Sequence, residues 1–426
     1  MPTGAGLHHA CGMTAIISPV RDQYEAYPYP PRDPGRELEK LHTTLIGQLA
    51  LADHVLAGGR WKVGPGFRVL DAGCGTGDNA IFLAEQLRGT GATVTGIDLS
   101  AHSLDIASAR AKARGLDIDF RQARIEEAPR LGLGQFDYIV TAGVLHHLPD
   151  PGEGLRALRG MLAPGGGIGL MVYGQYGRTA IYQLQELLRI VAPATLPADE
   201  RIAIARRTLG ELRAEHWAAF GRDTYAGEID LHGDAGLYDV LLHSTDRAYT
   251  VPQVHEWLAS AGMRLARFIM PMLYNPSLYS ATLDVSALDE PSRQAAAELL
   301  HGRMQKHSFF AAPLEAPEPH EPSWHDLTAT PTWLRFDHDN MIRTQVHERP
   351  ELHLQYEGFE LRLALDPFRR SVLKRIDGRR TLAEILVEMA TKYPKTTVEE
   401  RVQKWRELYT ALEQFNLLGM RGGART

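Results

Sequence analysis

From Phe67 onward, short apolar runs alternate with amphipathic stretches. Arg68-Val-Leu-Asp71 predicts a buried strand ending in a glycine turn, and Asn79 to Leu87 a helix. The rhythm repeats. Strands are expected at Ala92–Ile97, Ile118–Phe120, Phe136–Val140 and Gly167–Val172, with helices at Ala101–Arg114 and near Gly152–Met161. Strands that are apolar throughout, separated by amphipathic helices, predict a mostly parallel sheet with helices on both faces.

Outside this stretch the pattern changes. Residues 1–35 are rich in proline and tyrosine, and Pro28, Pro30 and Pro31 forbid a helix there, which predicts an extended arm. Leu41, Leu45, Leu49 and Leu51 predict a helix from about Glu37 to Leu56. Residues 178–220 are helical in pattern, whereas 222–250 are loop-like and rich in His, Asp and Tyr. A helix opening at Thr250, a strand over Met263–Met270, a helix near Pro291–Gln305 and a last strand at His307–Phe310 follow. Pro313, Pro317, Pro319, Pro322 and Pro331 mark a linker. Beyond it, alternation on either side of Glu357-Gly358 predicts a hairpin. Two capping boxes, Thr381-Leu-Ala-Glu384 and Thr397-Val-Glu-Glu400, start helices, and Asn416 to Met420 forms a closing strand. The expected division is an arm (1–35), an α/β domain (36–312) with an insertion at about 178–250, a linker (313–331) and a small α+β domain (332–426).

Composition narrows the function. With 426 residues, 46 Lys and Arg against 52 Asp and Glu, and a net charge of −6, the chain lacks the basic excess of a dedicated duplex-binding protein. No apolar run approaches the ~18 residues that span a bilayer. Met1 to Gly12 lacks the basic start and apolar stretch of a secretory signal. Two cysteines, Cys11 and Cys74, suit a reducing cytoplasm, the expected location. No nucleic-acid or membrane partner is expected.

The chemistry concentrates in Val69-Leu-Asp71-Ala-Gly73-Cys-Gly75-Thr-Gly77, between a strand and a helix. Gly73 and Gly75 let backbone approach a ligand, and Gly77 permits a tight helix entry. Asp98 ends the second strand, where a carboxylate accepts both hydroxyls of a ribose. Such charge-assisted bonds are worth about 1.5–3 kcal/mol each. A dinucleotide fingerprint runs G-x-G-x-x-G, but here Asp78 stands in the third glycine's place, where it would repel a pyrophosphate. Asp71 suits a cationic group such as an amino acid's ammonium. Adenosine plus an amino acid describes S-adenosylmethionine.

Residues 67–173 resemble the class I S-adenosylmethionine-dependent methyltransferases. Further motifs carry the resemblance: Phe136-Asp137-Tyr-Ile-Val-Thr141-Ala-Gly143-Val-Leu-His146-His147-Leu-Pro149 and Leu162-Ala-Pro164-Gly165-Gly166-Gly167. It implies a Rossmann-like, mostly parallel seven-stranded sheet and S-adenosylmethionine as cofactor. The implied contacts are Asp71, Gly73, Gly75, Gly77, Asp98, Leu99, Ile125 and Thr141, with Tyr27 from the arm. The arm Tyr24-Glu-Ala-Tyr27-Pro-Tyr29-Pro, together with Gly143-Val-Leu-His146-His147-Leu, is similar to a bacterial small-molecule subgroup sometimes fused to tetratricopeptide repeats, which this chain lacks. One departure stands out: Arg124 occupies the place of the acid that often meets the adenine amino group. That role then falls to Gln122 or Glu126, or to the backbone at Ile125.

Several residues have a chemical and a plain structural reading. His147 and His146 follow the fourth strand, where an acceptor sits in an open α/β sheet, and either is a candidate general base or a packed loop residue. Tyr24, Tyr27 and Tyr29 form either an aromatic cover for a sulfonium or a strap on the sheet edge. The stretch from Asp230 to Tyr249 offers Tyr238, His232, His243 and Arg247 for an acceptor pocket, joined by Tyr29, or else is a solvated loop. Phe336-Asp337-His338-Asp339 is a surface turn rather than a metal site. Leu373-Lys-Arg-Ile376-Asp377-Gly378-Arg379-Arg380-Thr381-Leu-Ala-Glu384-Ile385 resembles winged-helix peptide-binding domains of the PqqD type. That implies a peptide or self-association partner at the hairpin, against a plain buttress. The first expectation for function is methyl transfer to a small-molecule O, N or S nucleophile. The alternatives are a peptide or protein acceptor and a cofactor-binding scaffold without turnover.

Overall fold

Val69, Leu70 and Ala72 are fully buried because their strand runs through the middle of the main sheet. The computed structural model describes residues 20–220, 222, 225–319, 322–336, 349–356 and 359–422. Cys11, Asp337, His338, Asp339 and the Glu357-Gly358 turn lie outside the described residues, as do residues 1–19 of the arm. Strands β1 (Arg68–Ala72), β2 (Thr93–Asp98), β3 (Asp119–Gln122), β4 (Phe136–Ala142) and β5 (Leu162–Gly174) pair in parallel in the order β3-β2-β1-β4-β5. A two-residue strand β6 (Ala248–Tyr249) joins the end of β5. Beyond β5 come β8 (Lys306–Pro313), antiparallel, and β7 (Met263–Phe268) at the edge. The seven strands of the expected sheet are thus present, with β6 added beside them. The strand order reverses between β1 and β4, so the crevice for ligands opens above their C-terminal ends.

The helices are α1 (20–26), α2 (Leu49–Ala57), α3 (Asp78–Gln86), α4 (Ala101–Ala113), α5 (Pro151–Arg159), α6 (Thr179–Val191), α7 (Ala198–Glu211), α8 (Trp217–Phe220), α9 (Ala226–Leu237), α10 (Val251–Ser260) and α11 (Glu290–His301). Their starts are chemically marked. The Ser100 hydroxyl accepts from Ser103 N–H ahead of α4, Asp150 caps α5, and Thr250 with Gln253 forms a capping box on α10.

Three expectations are corrected. The helix over Glu37–Leu56 is a 3-10 turn at Pro34–Glu39 and a separate α2. Glu37 is drawn into a buried pair with Arg110 and Arg114, both at 2.5 Å, which fixes the chain off the helical path. Gly47 then packs so closely on Thr44 and Phe82 that a Cβ would meet them at 2.7 and 2.8 Å. Second, residues 222–250 are not a loop. They hold α9 and a π-helical turn at Tyr238–Leu242, whose Leu237, Val240, Leu241 and Leu242 close a separate apolar cluster with Ile181, Leu184 and Ile202. Third, the arm is helical over 20–26 and becomes irregular just before Pro28.

The C-terminal unit follows its predicted order. β9 (Thr330–Trp333) pairs antiparallel with β12 (Leu418–Arg421), and β10 (Glu351–Tyr356) pairs with β11 (Phe359–Ala364) as the hairpin. Helices α12 (Pro367–Leu373), α13 (Leu382–Lys392) and α14 (Val398–Glu413) follow, the last two opened by the predicted capping boxes at Thr381 and Thr397. The fully buried Trp405 donates to Trp324 O at 2.7 Å, and the unit's core runs on into that of the main sheet. Polar contacts fix the join, among them Phe336 N–H to Gln48 Oε1 at 2.8 Å, Arg267 to Asn416 Oδ1 at 3.1 Å and to Glu413 at 4.0 Å, and Arg421 to Asp53 at 3.5 Å. Among the described residues no helix is long and apolar enough to cross a membrane.

Candidate active site

The loop after β1 takes the left-handed backbone that glycine permits: Gly73, Gly75 and Gly77 have φ of 79°, 51° and 96°. It is also crowded. A Cβ on Gly73 would lie 2.5 Å from Val144 Cγ2, and one on Gly75 would lie 2.6 Å from Tyr29 O. Asp98 is fixed by two backbone donors, Gly75 N–H to Oδ2 at 2.8 Å and Ser100 N–H to Oδ1 at 2.9 Å, while its remaining lone pairs face a cavity of about 780 Å³. Burial raises its pKa and these N–H bonds draw it back. The volume lies within the ~300–1,000 Å³ of small-molecule sites.

Gly73, Gly75, Asp98, Leu99 and Ile125 line the cavity as expected. Asp71, Gly77 and Thr141 do not. Asp71 sits beneath the loop with both oxygens buried and without a normal hydrogen bond. Burial lifts its pKa to about 8, although Ala80 N–H at the start of α3 pulls it down. Its carboxylate thus stands behind the cavity wall, not on it. The adenine question narrows. Gln122 donates to Leu99 O at 3.1 Å and is off the wall, whereas Glu126 lines it, with Oε1 on Arg124 at 3.2 Å and Oε2 buried without a partner. That orphan acceptor, the Asp98 carboxylate and a loop too tight for any Cβ fit an adenosine with an amino-acid tail.

The arm lies across this end. Pro30 O accepts from Thr76 Oγ1 at 2.7 Å, and Arg32 pairs with Asp78 at 2.6 Å, itself held by Arg110 at 2.8 Å. Glu25 caps α4, accepting from Ala101 N–H at 2.7 Å. Tyr24 and Tyr29 face the cavity. Tyr27, expected at the cofactor, is off the wall and stacks on Tyr238 at 5.4 Å. Tyr29 donates to Glu228 at 2.6 Å, with His232 edge-on to its ring. His232 and Tyr238 thus brace the arm rather than line the cavity, and Arg247 is exposed away from it.

The other end of the cavity is a buried polar cluster drawn from the turn after β4, the end of β5, helix α1, the insertion and Arg178 ahead of α6. His147, from the turn after β4, lines the wall, and its Nδ1 lies 2.6 Å from Thr245 O. A carbonyl only accepts, so Nδ1 carries the proton and Nε2 keeps its lone pair. His243 is set the other way: Thr245 N–H donates to its Nδ1 at 3.0 Å, which leaves the proton on Nε2. Tyr24 donates to Asp239 Oδ1 at 3.0 Å and stands 3.4 Å from His243 Nε2. Burial, foremost, raises the Asp239 carboxyl and the Tyr24 phenol and depresses His146 and His243. His146 is fully buried, off the wall, with neither ring nitrogen bonded; it packs on Tyr173 and His147. Arg178 stacks over Tyr173 at 3.5 Å and pairs with Asp246.

His147, Asp239 and His243 present their ligand atoms within 4.8 Å of one another. His146, His147 and Asp246 form a second such group. For the first group a metal is a poor fit. The two imidazoles are stacked at 3.8 Å with planes 25° apart, so their in-plane lone pairs do not converge, and His243 Nε2 already bears a proton.

Sequence reasoning places Tyr24 only in the arm and Asp239 only within the polar stretch from Asp230 to Tyr249, and it does not reach Glu228, Tyr173 or Arg178. Tyr173 was accessible to sequence reasoning, since it ends a strand on the crevice side. Asp239 was not, because only the π-helical turn at Tyr238–Leu242 turns it inward.

The family described as "Methyltransferase domain" matches residues 69–166. A "Ubiquinone biosynthesis O-methyltransferase" of Caulobacter sp. (strain K31) is 35% identical over 218 residues, covering 48% of this chain and 78% of the relative. The protein of that name from Escherichia coli O9:H4 (strain HS) is 34% identical over 133 residues, 30% of this chain and 54% of the relative. The solved structure of PKMT2 from Rickettsia typhi in complex with AdoHcy superposes with a TM-score of 0.61 at 16% identity, covering 90% of this chain and 76% of that one, a likeness of fold.

Proposed function

We propose that this chain, which belongs to the class I S-adenosylmethionine-dependent methyltransferases, methylates a hydroxyl group of a small molecule. When bound, S-adenosylmethionine supplies an electrophilic methyl group on a sulfonium. The protein's part is to hold, align and deprotonate. Asp98 takes the ribose hydroxyls, Glu126 Oε2 the adenine amino group, and the Gly73–Gly75 backbone the amino-acid portion, beneath Tyr24 and Tyr29 of the arm. Holding two reactants in register supplies about 7–11 kcal/mol of such a barrier.

The observation that carries the reading is His147: a cavity-lining imidazole with Nδ1 tied to a carbonyl and Nε2 left as a base. A hydroxyl acceptor needs its proton removed, and imidazole is the side chain suited to that near neutrality. The Caulobacter relative's name, an O-methyltransferase, supports the same acceptor atom. A peptide acceptor is favoured by one feature, the β10–β11 hairpin, which pairs with no third strand among the described residues. The test is incubation with methyl-labelled S-adenosylmethionine and a panel of phenols, catechols, amines, thiols and peptides, with products identified by mass and NMR. A methyl ether is expected; a product methylated only on nitrogen, sulfur or a peptide would overturn the reading.

A further inference from the structure

The insertion, rather than the sheet, appears in every contact that fixes the proton on the base. His147 leaves the sheet at the end of β4, but Thr245, His243 and Asp239 come from the insertion and Tyr24 from helix α1. The backbone of Thr245 meets both imidazoles, through the two peptide groups that flank it: its carbonyl accepts from His147 Nδ1 at 2.6 Å, and its N–H donates to His243 Nδ1 at 3.0 Å. Asp239 lies within 4.8 Å of both rings. Its Oδ1 accepts the Tyr24 hydroxyl at 3.0 Å, and its side chain lines the cavity.

We propose that Asp239 and the Thr245 backbone are positioning groups for proton removal from the acceptor. Thr245 holds His147 in the tautomer whose Nε2 can accept, and holds His243 in the opposite one. Asp239, oriented by Tyr24, carries the compensating charge when His147 becomes an imidazolium. The step balances simply. The acceptor's O–H bond breaks, its electron pair stays on oxygen and the proton moves to His147 Nε2; the proton passes to water after product leaves. His243, with its proton on Nε2, faces Tyr24 and Asp239 as a donor and does not compete for the acceptor's proton.

The charged and titratable groups facing His147 are known from each element around it. They are His146 in its own turn, Tyr173 on β5, Asp239 and His243 from the insertion, Asp246, whose carboxylate lies within 4.8 Å of His146 and His147, Tyr24 from α1 and Arg178 just ahead of α6. Asp246 Oδ2 is tied to Arg178 and Gln185, whereas Asp239 accepts from the neutral Tyr24 hydroxyl, so Asp239 is the less compensated of the two carboxylates beside His147. An opposite charge within ~4–6 Å shifts a titration by about 1–3 units.

This inference rests on the proposed role of His147 as base, but its test does not need turnover. The full chain, labelled with 15N in histidine and loaded with S-adenosylhomocysteine, is followed by NMR from pH 5 to 9, with His147→Gln and His243→Gln for assignment. His147 is expected as the Nδ1–H tautomer and His243 as Nε2–H. In His147→Gln, the Asp239 carboxyl, followed in 13C-labelled aspartate, should titrate higher, because His147 draws it down against the rise that burial imposes. The reverse tautomer on either ring would overturn the proposal, as would an Asp239 titration unmoved in a folded His147→Gln. If that variant does not fold, the wild-type tautomers still decide the Thr245 half, and His147→Asn, expected to raise the same carboxyl titration, decides the other. Correct tautomers with no methyl ether in the acceptor panel would instead count against the hydroxyl reading alone.

Discussion

Single side chains separate binding from folding in this site. Asp98 is the clearest case: its carboxylate holds the loop through Gly75 and Ser100 and faces the cavity. Asp98→Ala is expected to weaken S-adenosylhomocysteine binding at least ~10-fold, the loss of one or two charge-assisted bonds at about 1.5–3 kcal/mol each, in a protein that still unfolds cooperatively. Titration calorimetry beside a thermal melt reads both. Gly75→Val should do the same by another route, since its Cβ would lie 2.6 Å from Tyr29 O. Asp71 gives the pH signature. Its carboxyl is pushed up to about 8, above its unfolded value near ~3.9, so folding disfavours its ionisation. The fold is therefore least burdened below pH ~4, and the cost grows as pH rises toward 8 and is constant above. Asp71→Asn should flatten that decline and raise the melting temperature at pH 8.5; an unchanged pH–stability profile would refute the assignment.

At the level of elements, what could be read in advance depended on what each segment buries. β1, β2, β4 and β5 were legible because both faces of a central strand are covered and short apolar runs such as Val69-Leu70 and Tyr138-Ile139-Val140 fill their middles. The capping boxes at Thr381 and Thr397 located helix starts because the cap is a local bond, and Pro252 marked the first turn of α10. The 37–56 helix failed for a non-local reason: Glu37 answers to Arg110 and Arg114, more than seventy residues away. Helix α9 was hidden because Glu228, Asp230, His232 and Asp234 mask a short apolar edge that matters only once α6 and α7 are beside it. The site shows the same divide. Glycines and Asp98 were legible from backbone demand, whereas Tyr24 and Asp239 are brought together across 215 residues. The arm offers an element-scale test. It is anchored by Arg32–Asp78, Glu25 on α4 and Tyr29–Glu228, all next to the cavity. Deleting residues 1–33 should weaken cofactor binding or abolish turnover; wild-type kinetics in the truncated chain would make the arm peripheral.

On the scale of the whole molecule, the C-terminal unit joins the sheet on the side of α2, where His54 and Gly419 touch. A Cβ on Gly419 would lie 2.8 Å from the His54 ring, so Gly419→Val should cost about 1–3 kcal/mol of stability while leaving S-adenosylhomocysteine affinity unchanged. His54 also ties this junction to pH. Burial, with Arg267 and Arg421 nearby, pushes its pKa down to about 3, below the ~6.5 of an unfolded histidine. The unfolded chain then binds the extra proton between these values, so this contribution is present above pH ~6.5 and is lost as pH falls toward 3. His54→Gln should blunt the acid limb of the melting curve; an acid limb identical to wild type would show the junction to be insensitive.

The Thr245 backbone has a consequence for how such a site is inherited and how it is found. An amide and a carbonyl belong to every residue type except that proline lacks the N–H, so the side chain at 245 is free to drift while the two rings it governs stay set. A substitution scan would pass over the position as silent until it reached proline, which keeps the carbonyl for His147 and removes the donor to His243. Comparison of sequences would pass over it too, because the decisive atoms are spelled by no codon.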